Sequence, residues 1–376
     1  MSEQHPFAHA PGARIIVGLP HLSQGVLLRN ARERGYPVMV SASSLARWDT
    51  IEHRGSRARE WKGWNTAPLD RLDGMDIEVH LDSAGFVAMA LRGGYDWSPE
   101  SYVHELASHR NIARFSSMDM CVEPEVAPDR ETVKDRIVRT ISLNRRCAAA
   151  ARDAGSFDRF MPVIQGATAE DYVSCYEAVE SLVPDHGTIG VGSMCRRKTL
   201  GADGSIAIVE ALDANLPEGV TLHLFGVKSD SYEAMAMFGG RVSSVDSQAY
   251  GTRARCIANE RRREDPDFSK TDAFVAKVMN HWFERQSARL SAPRAFPSQG
   301  HLSLTEVDRP RTVLDAAERL ARQQMRDLID EGALDFDAMM GPRLLEEWTC
   351  DILTQLPEGV GPMDPYRGDW QMPDAA

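Results

Sequence analysis

The sequence predicts an α/β protein built as a (β/α)8 TIM barrel with additional C-terminal helices. Three observations lead there: short β-rich runs alternate with helical patterns through about residue 260, the runs number eight, and none is left over. The competing arrangement is an open doubly wound sheet. A length of 376 residues suits one barrel of roughly 250 residues with additions, or two domains of ~150 residues.

The runs come in order as Ala13 to Leu19, Pro37 to Ser41, Asp76 to Leu81 running into Asp82, and Ala113 to Cys121. Arg159 to Gln165, Thr188 to Gly192, Thr221 to Val227 and Arg241 to Asp246 complete them. Each is short and rich in Val, Ile, Leu, Phe or Met, as a buried parallel strand should be. Between them, Asp129 to Ala151 carries Val133, Ile137 and Ile141 at helical spacing behind an N-cap Asp. Thr168 to Asp171 reads as a capping box opening a helix over Tyr172 to Leu182. Ser231 to Phe238 stops at Gly239-Gly240.

Two regions depart from the repeat. Residues 44–75 form a long polar connection holding Trp48, Trp61 and Trp64, which could stack on bases or simply pack. After Tyr250 the chain reads as largely helical, with amphipathic segments at Thr271 to Leu290 and Arg311 to Leu328 and a loosely ordered end at Gly361 to Ala376. The expected organisation is a catalytic barrel over 1–262, carrying the 44–75 insertion, and a helical extension over 263–376 packed on it.

Composition bounds the function. The 43 basic and 55 acidic side chains give a net charge of −12, with 43% hydrophobic and 26% charged residues. This is the profile of a soluble globular chain and excludes collagen-like, mucin-like and disordered classes. The acidic balance argues against a broad electrostatic coating of nucleic acid but leaves room for a local basic groove. No run approaches the ~20 apolar residues that cross a bilayer, and Met1 to Arg14 does not resemble a secretory signal. The six cysteines (Cys121, Cys147, Cys175, Cys195, Cys256, Cys350) include no CxxC pair. A reduced, cytoplasmic location is expected, with no membrane partner.

Barrel chemistry sits where strands end at the C-terminal face. Those ends read Asp82-Ser-Ala-Gly85-Phe86, Asp119-Met-Cys121-Val-Glu123, Gln165-Gly166, Gly190-Val-Gly192-Ser193, Phe225-Gly226-Val-Lys228 and Asp246-Ser-Gln248. Taken singly, a strand-end Asp is usually a cap, a strand-end Gly a turn residue, a Phe core, and Arg196-Arg197-Lys198 a solvated face. The joint pattern says more. Carboxylates crowded at one mouth raise at least one pKa, which suits acid/base work. One can attack a sugar C1′ while another shuttles the proton. An Asp with a Gln can read a guanine-like edge, glycines admit a flat ligand, and phenylalanines offer stacking faces.

The ordered set LDSAGF, SMDMCVEPE, PVIQG, IGVGS, LFGVK and SSVDSQ, spanning about residues 76 to 255, resembles the tRNA-guanine transglycosylase superfamily. The forms IGVGSMCRR, LHLFGVK and DMCVEPE are most similar to its DNA-acting branch. That resemblance implies exchange of guanine in DNA for a 7-deazaguanine such as preQ0, through a covalent nucleotide on an Asp. It implies Asp246 as nucleophile and Asp82 as general acid/base. It implies Asp119 and Gln165 as the base-recognition pair, Phe86 and Phe225 as stacking faces, and Gly190 and Gly192 as backbone that reads the base edge. Arg196, Arg197, Lys198, Arg253 and Arg255 are the candidate phosphate contacts.

The sequence departs from the family in two places. Val87 stands where the family carries a polar residue, and the CxCxxC…H zinc spacing is missing, so no structural zinc or other metal is expected. No cofactor is expected beyond the 7-deazaguanine co-substrate. DNA is the expected polymer partner, with tRNA second, and a homodimer is possible. Two other classes stay open: a non-catalytic nucleic-acid-binding subunit, and a barrel hydrolase or lyase acting on a small nucleoside.

Overall fold

The computed structural model describes residues 12–23, 25–53, 56–195 and 197–293, with short helical pieces between 317 and 349. The chain forms two compact units, Met1–Gln248 with Thr271–Phe296, and Ala249–Lys270 with Pro297–Ala376.

The strands are β1 (Arg14–Leu19), β2 (Val38–Ser41), β3 (Ala46–His53), β4 (Ser56–Trp64), β5 (Val79–Asp82) and β6 (Arg114–Ser116). They continue as β7 (Phe160–Met161), β8 (Val163–Ile164), β9 (Thr188–Val191), β10 (Thr221–Leu224) and β11 (Val242–Ser247). The main helices are α1 (Val26–Glu33), α2 (Ala67–Asp70), α3 (Gly85–Arg92), α4 (Pro99–Tyr102) and α5 (Arg130–Asp153). After these come α6 (Ala169–Val179), α7 (Ser205–Asn215), α8 (Tyr232–Met235), α9 (Ala249–Glu264) and α10 (Asp272–Leu290).

Nine parallel segments form one sheet in the order β7-β6-β5-β2-β1-β11-β10-β9-β8. Its two end segments are one run of sequence interrupted only by Pro162. β7 pairs with β6 and β8 pairs with β9, so the ring closes as eight strands, the predicted barrel. Proline has no N–H to give the ladder, and the Pro162 carbonyl still accepts from Gly190 N–H at 2.8 Å.

Register assigns the faces. Residues paired across parallel strands share a face. Arg14, Ile16 and Gly18 therefore align with Ser244 and Asp246 on one side and Met39 on the other. The series continues through Ser41, His80, Asp82, Arg114, Ser116 and Met161. Val163, Gly190 and His223 return it to Ser244. The alternate residues, including Val17, Val38, Val79, Leu81, Phe115, Ile189, Val191, Leu222, Leu224 and Val245, are fully buried and apolar and form the core beneath the helices. The interior set is unusually polar. Arg14 pairs with Glu78, which also bonds His80 at 2.6 Å, and Arg114 lies beside them.

Several expectations change at the local level. The 44–75 segment is not an irregular connection: β3 and β4 form an antiparallel hairpin, followed by α2. The third run enters the ladder only at Val79, and the fourth leaves it at Ser116, so Asp119 lies on a loop. The helix expected over Tyr172 to Leu182 opens earlier, at Ala169, under the Thr168 capping box, and passes into a tighter turn over Glu180–Leu182. The α5 N-cap is Asp129, which accepts from Thr132 N–H at 2.8 Å.

The helix directly after β11 is α9, which belongs to the second unit. Barrel cover at that seam comes from α10, which packs on α1, α8 and β1. Asn30 and Asn280 exchange amide hydrogen bonds at 2.8 and 3.0 Å, and Tyr36 stacks on Phe283 at 3.9 Å. In the second unit, Ala317 and Ala321 are buried against Leu345 and Trp348. The Arg311 to Leu328 segment is helical wherever it is described, and Gly361 to Ala376 lies outside the described residues. No helix among the described residues is long and apolar enough to cross a membrane.

Candidate active site

Asp82 ends β5, beside Ser41 at the end of β2. The chain then reverses through Ala84, whose φ of 72° is left-handed, and its N–H donates to Asp82 Oδ2 at 3.0 Å. A non-glycine residue held there carries strain of roughly 1–2 kcal/mol, a cost that concentrates at functional sites. α3 opens immediately at Gly85. A Cβ there would stand 2.5 Å from Asp119 Oδ1, so only glycine lets the loop carboxylate close on the helix start. Phe86, in the first turn, is 40% exposed.

Asp119 is buried and held from several sides. Tyr95 bonds its backbone at both N–H and C=O, Ser83 Oγ donates to Oδ1 at 3.1 Å, and Gln165 Nε2 donates to Oδ2 at 2.5 Å. The Ser193 hydroxyl lies 2.6 Å from Gln165 Oε1 and 3.0 Å from Glu123 Oε2, and it accepts from Val122 N–H. Ser193 is itself left-handed, at φ 52°. Gly192 admits Gln165, since a Cβ there would fall 2.1 Å from Nε2. Gly190 likewise admits the Phe225 ring, 2.5 Å from the position of its absent Cβ.

Opposite these, Asp246 projects inward from β11. Its Oδ1 accepts from Gly226 N–H at 2.8 Å and lies 3.4 Å from His223 Nε2. His223 is 1% exposed, bonds Ser244 Oγ through Nδ1 at 2.8 Å, and meets the Phe225 edge at a centroid distance of 4.5 Å.

The electrostatics divide the carboxylates. Asp82 is pushed up to about 7, first by loss of solvation and then by the charges of Asp119 and Asp246. Asp119 is raised to about 6, chiefly by burial, against the opposing hydrogen bonds from Gln165 and Ser83. A carboxyl that changes protonation near neutrality can both give and take a proton.

The basic candidates fare differently. Arg197 spends all five N–H donors on protein acceptors: the Ser193, Ala167, Asp203 and Gly166 carbonyls and the Tyr172 hydroxyl. It therefore organises the loop after β9 and has no donor left for a phosphate. Lys198 is exposed and lines a cavity of about 330 Å³ with Glu123, Ser193 and Asp203. Arg196 lies outside the described residues, and Arg253 and Arg255 lie on α9 of the second unit. The hairpin tryptophans pack on Trp97 and on one another, Trp64 at 4.8 Å from Trp97, with Arg92 over the Trp48 and Trp97 rings.

Sequence reasoning missed the supporting residues Ser83, Tyr95, Ser193, His223 and Ser244. All but Tyr95 lay inside motifs already singled out, and His223 was legible as the inward position two before Phe225. Among the described residues no group of three or more His, Cys, Asp or Glu is arranged to hold a metal ion.

The family model described as DpdA, DeoxyPurine in DNA protein A, matches residues 72–282, more than half of the chain. That span holds every one of the candidate residues above. No curated protein matches the chain significantly.

Proposed function

The chain belongs to the DpdA family, the DNA 7-deazaguanine transglycosylases of the tRNA-guanine transglycosylase superfamily, and on that premise we propose that it exchanges guanine in DNA for a preQ0-type base through a covalent Asp246–nucleotide. The observation that carries this reading is a pair of unlike carboxylates at one barrel mouth: Asp82, which titrates at about 7, and Asp246, anchored through a single oxygen.

The target nucleotide must leave its stack to enter the mouth. Asp119 accepts from guanine N1–H and N2–H, and the Gln165 amide, turned from Asp119 to the base, donates to O6. Phe86 and Phe225 give the purine its stacking faces, and Gly190 and Gly192 let it approach the backbone. Asp246 Oδ2 attacks C1′, the C1′–N9 bond breaks, and the proton on Asp82 passes to the departing base. The incoming 7-deazaguanine then gives its N9 proton to Asp82 and displaces Asp246 from C1′. Two displacements retain the β configuration and need no metal or ATP. Lys198, Arg253 and Arg255 remain the candidate phosphate contacts.

The test is a parallel exchange assay with labelled preQ0 and duplex DNA, single-stranded DNA or unmodified tRNA. Label is expected in DNA, and Asp246→Ala should abolish both exchange and a denaturation-resistant adduct. Full exchange by that variant would overturn the mechanism, and label in tRNA alone would overturn the polymer. Cleavage of free nucleosides as readily as DNA would point to a small-nucleoside enzyme instead.

A further inference from the structure

A buried imidazole stands behind Asp246 with a role still unassigned. His223 lies one residue pair deeper in the barrel than Phe225 and is 1% exposed. Its Nδ1 is taken by Ser244 Oγ at 2.8 Å, while Nε2 makes no hydrogen bond and lies 3.4 Å from Asp246 Oδ1, within ion-pair range. An ionised carboxylate only accepts. The favourable tautomer therefore carries its proton on Nε2, and the Ser244 hydroxyl fixes it by donating to Nδ1. Gly226 N–H donates to the same Oδ1 at 2.8 Å. Among the described residues Oδ2 receives no protein hydrogen bond, so one oxygen is tied to the wall and the other is left to react.

We propose that His223 is a positioning residue that holds Asp246 by Oδ1 and governs the release of the covalent nucleotide. The inference rests on Asp246 being the nucleophile. When Oδ2 bonds to C1′ and the C1′–N9 pair leaves with the base, Oδ1 becomes an ester carbonyl and a weaker acceptor. When the incoming base attacks C1′, the C1′–Oδ2 pair returns to Asp246 and the carboxylate is restored. A donor fixed on Oδ1 favours the carboxylate over the ester, so it assists the second displacement more than the first.

The experiment measures both displacements on the full chain. End-labelled guanine-containing DNA forms the adduct, and preQ0 then discharges it. Removing the imidazole's close polar contact with a charged oxygen in His223→Leu should slow discharge by roughly tenfold while adduct formation falls less, so adduct accumulates at steady state. His223→Gln, whose amide nitrogen can stand near the Nε2 position, should restore the wild-type partition. His223→Asn, whose amide matches Nδ1, should not. If the leucine variant fails to fold, Ser244→Ala carries the test, with a smaller shift in the same direction. Equal slowing of both steps, or an unchanged partition, would reduce His223 to packing. If wild-type enzyme exchanges base without any adduct, the nucleophile itself is wrong, a result distinct from failure of the histidine.

Discussion

At the scale of single residues, the pH behaviour of Asp82 is the sharpest consequence of the site. Burial and neighbouring carboxylates push its carboxyl up to about 7, and the proposed mechanism requires it protonated to release guanine and ionised to accept the proton of the incoming base. Adduct formation should therefore fall as pH rises through about 7, and discharge should fall as pH drops through it. Single-turnover rates for the two steps across pH 5.5 to 8.5 would show mirror-image limbs; parallel limbs would remove Asp82 from the proton path. Asp119 adds a binding limb. Below about 6 it is protonated and could no longer accept from N1–H and N2–H in the proposed base contact, so KM for the base should rise there. Gly192→Ala should raise that KM at every pH, because its Cβ would land 2.1 Å from Gln165 Nε2 and expel the amide. Calorimetric titration with free base would register the loss, and unaltered affinity would mean that Gln165 can move at no cost.

At the scale of elements, the loop after β9 depends on Arg197. Arg197→Ala strips five acceptors of their donor and should destabilise the protein by about 3 kcal/mol, with exchange lost because Ser193 no longer orders Gln165. Denaturant unfolding would measure the first and the exchange assay the second. Arg197 also marks the limit of what its sequence context could say. In a run of three basic residues it reads as a solvated face or a phosphate clamp. Only the surrounding carbonyls, brought together from the ends of β8 and β9, reveal a structural tie. The eight strands were legible because buried parallel strands are short apolar runs separated by helices. The catalytic-face acids were legible because they sit at strand ends. The hairpin was not, since Arg47, Asp49, Thr50 and Glu60 give it a polar sequence, and its anchoring lies in aromatic contacts with Trp97, distant along the chain. Two partners of Asp119 were hidden for the same reason: Ser83 and Tyr95 reach it only in space.

At the scale of the barrel, its interior answers acid in two opposite ways. The mouth carboxylates Asp82 and Asp119 have raised pKa values, so the folded state takes up their protons first and gains stability as pH falls from about 7. His80 is lowered by burial, so the unfolded state binds its proton first and stability is lost as pH drops below its ordinary value. Burial pushes Glu78 up, but hydrogen bonds from His80 and Arg14 outweigh it and hold the carboxyl down, which adds a loss at lower pH. Asp82→Asn should therefore raise Tm at pH 8 with a gain that vanishes on acidification. His80→Gln should instead narrow the fall in Tm between pH 7 and 5. Thermal scans of the two variants with the same sign of pH dependence would refute this division.

The pairing of β1 with β11 also sets a schedule. β1 is made first and finds one of its two neighbours only when β11 has been made, almost the full length of the barrel later. Pairings so distant in sequence form late, since loop closure must come before any contact rewards it. Asp246 rides on that last strand, aligned with Ile16 of the first. On the proposed mechanism, a growing chain thus holds Asp82, Asp119 and Gln165 for some time before it has its nucleophile. With Asp246 as that nucleophile, the ability to attack DNA arrives only with the closing of the ring.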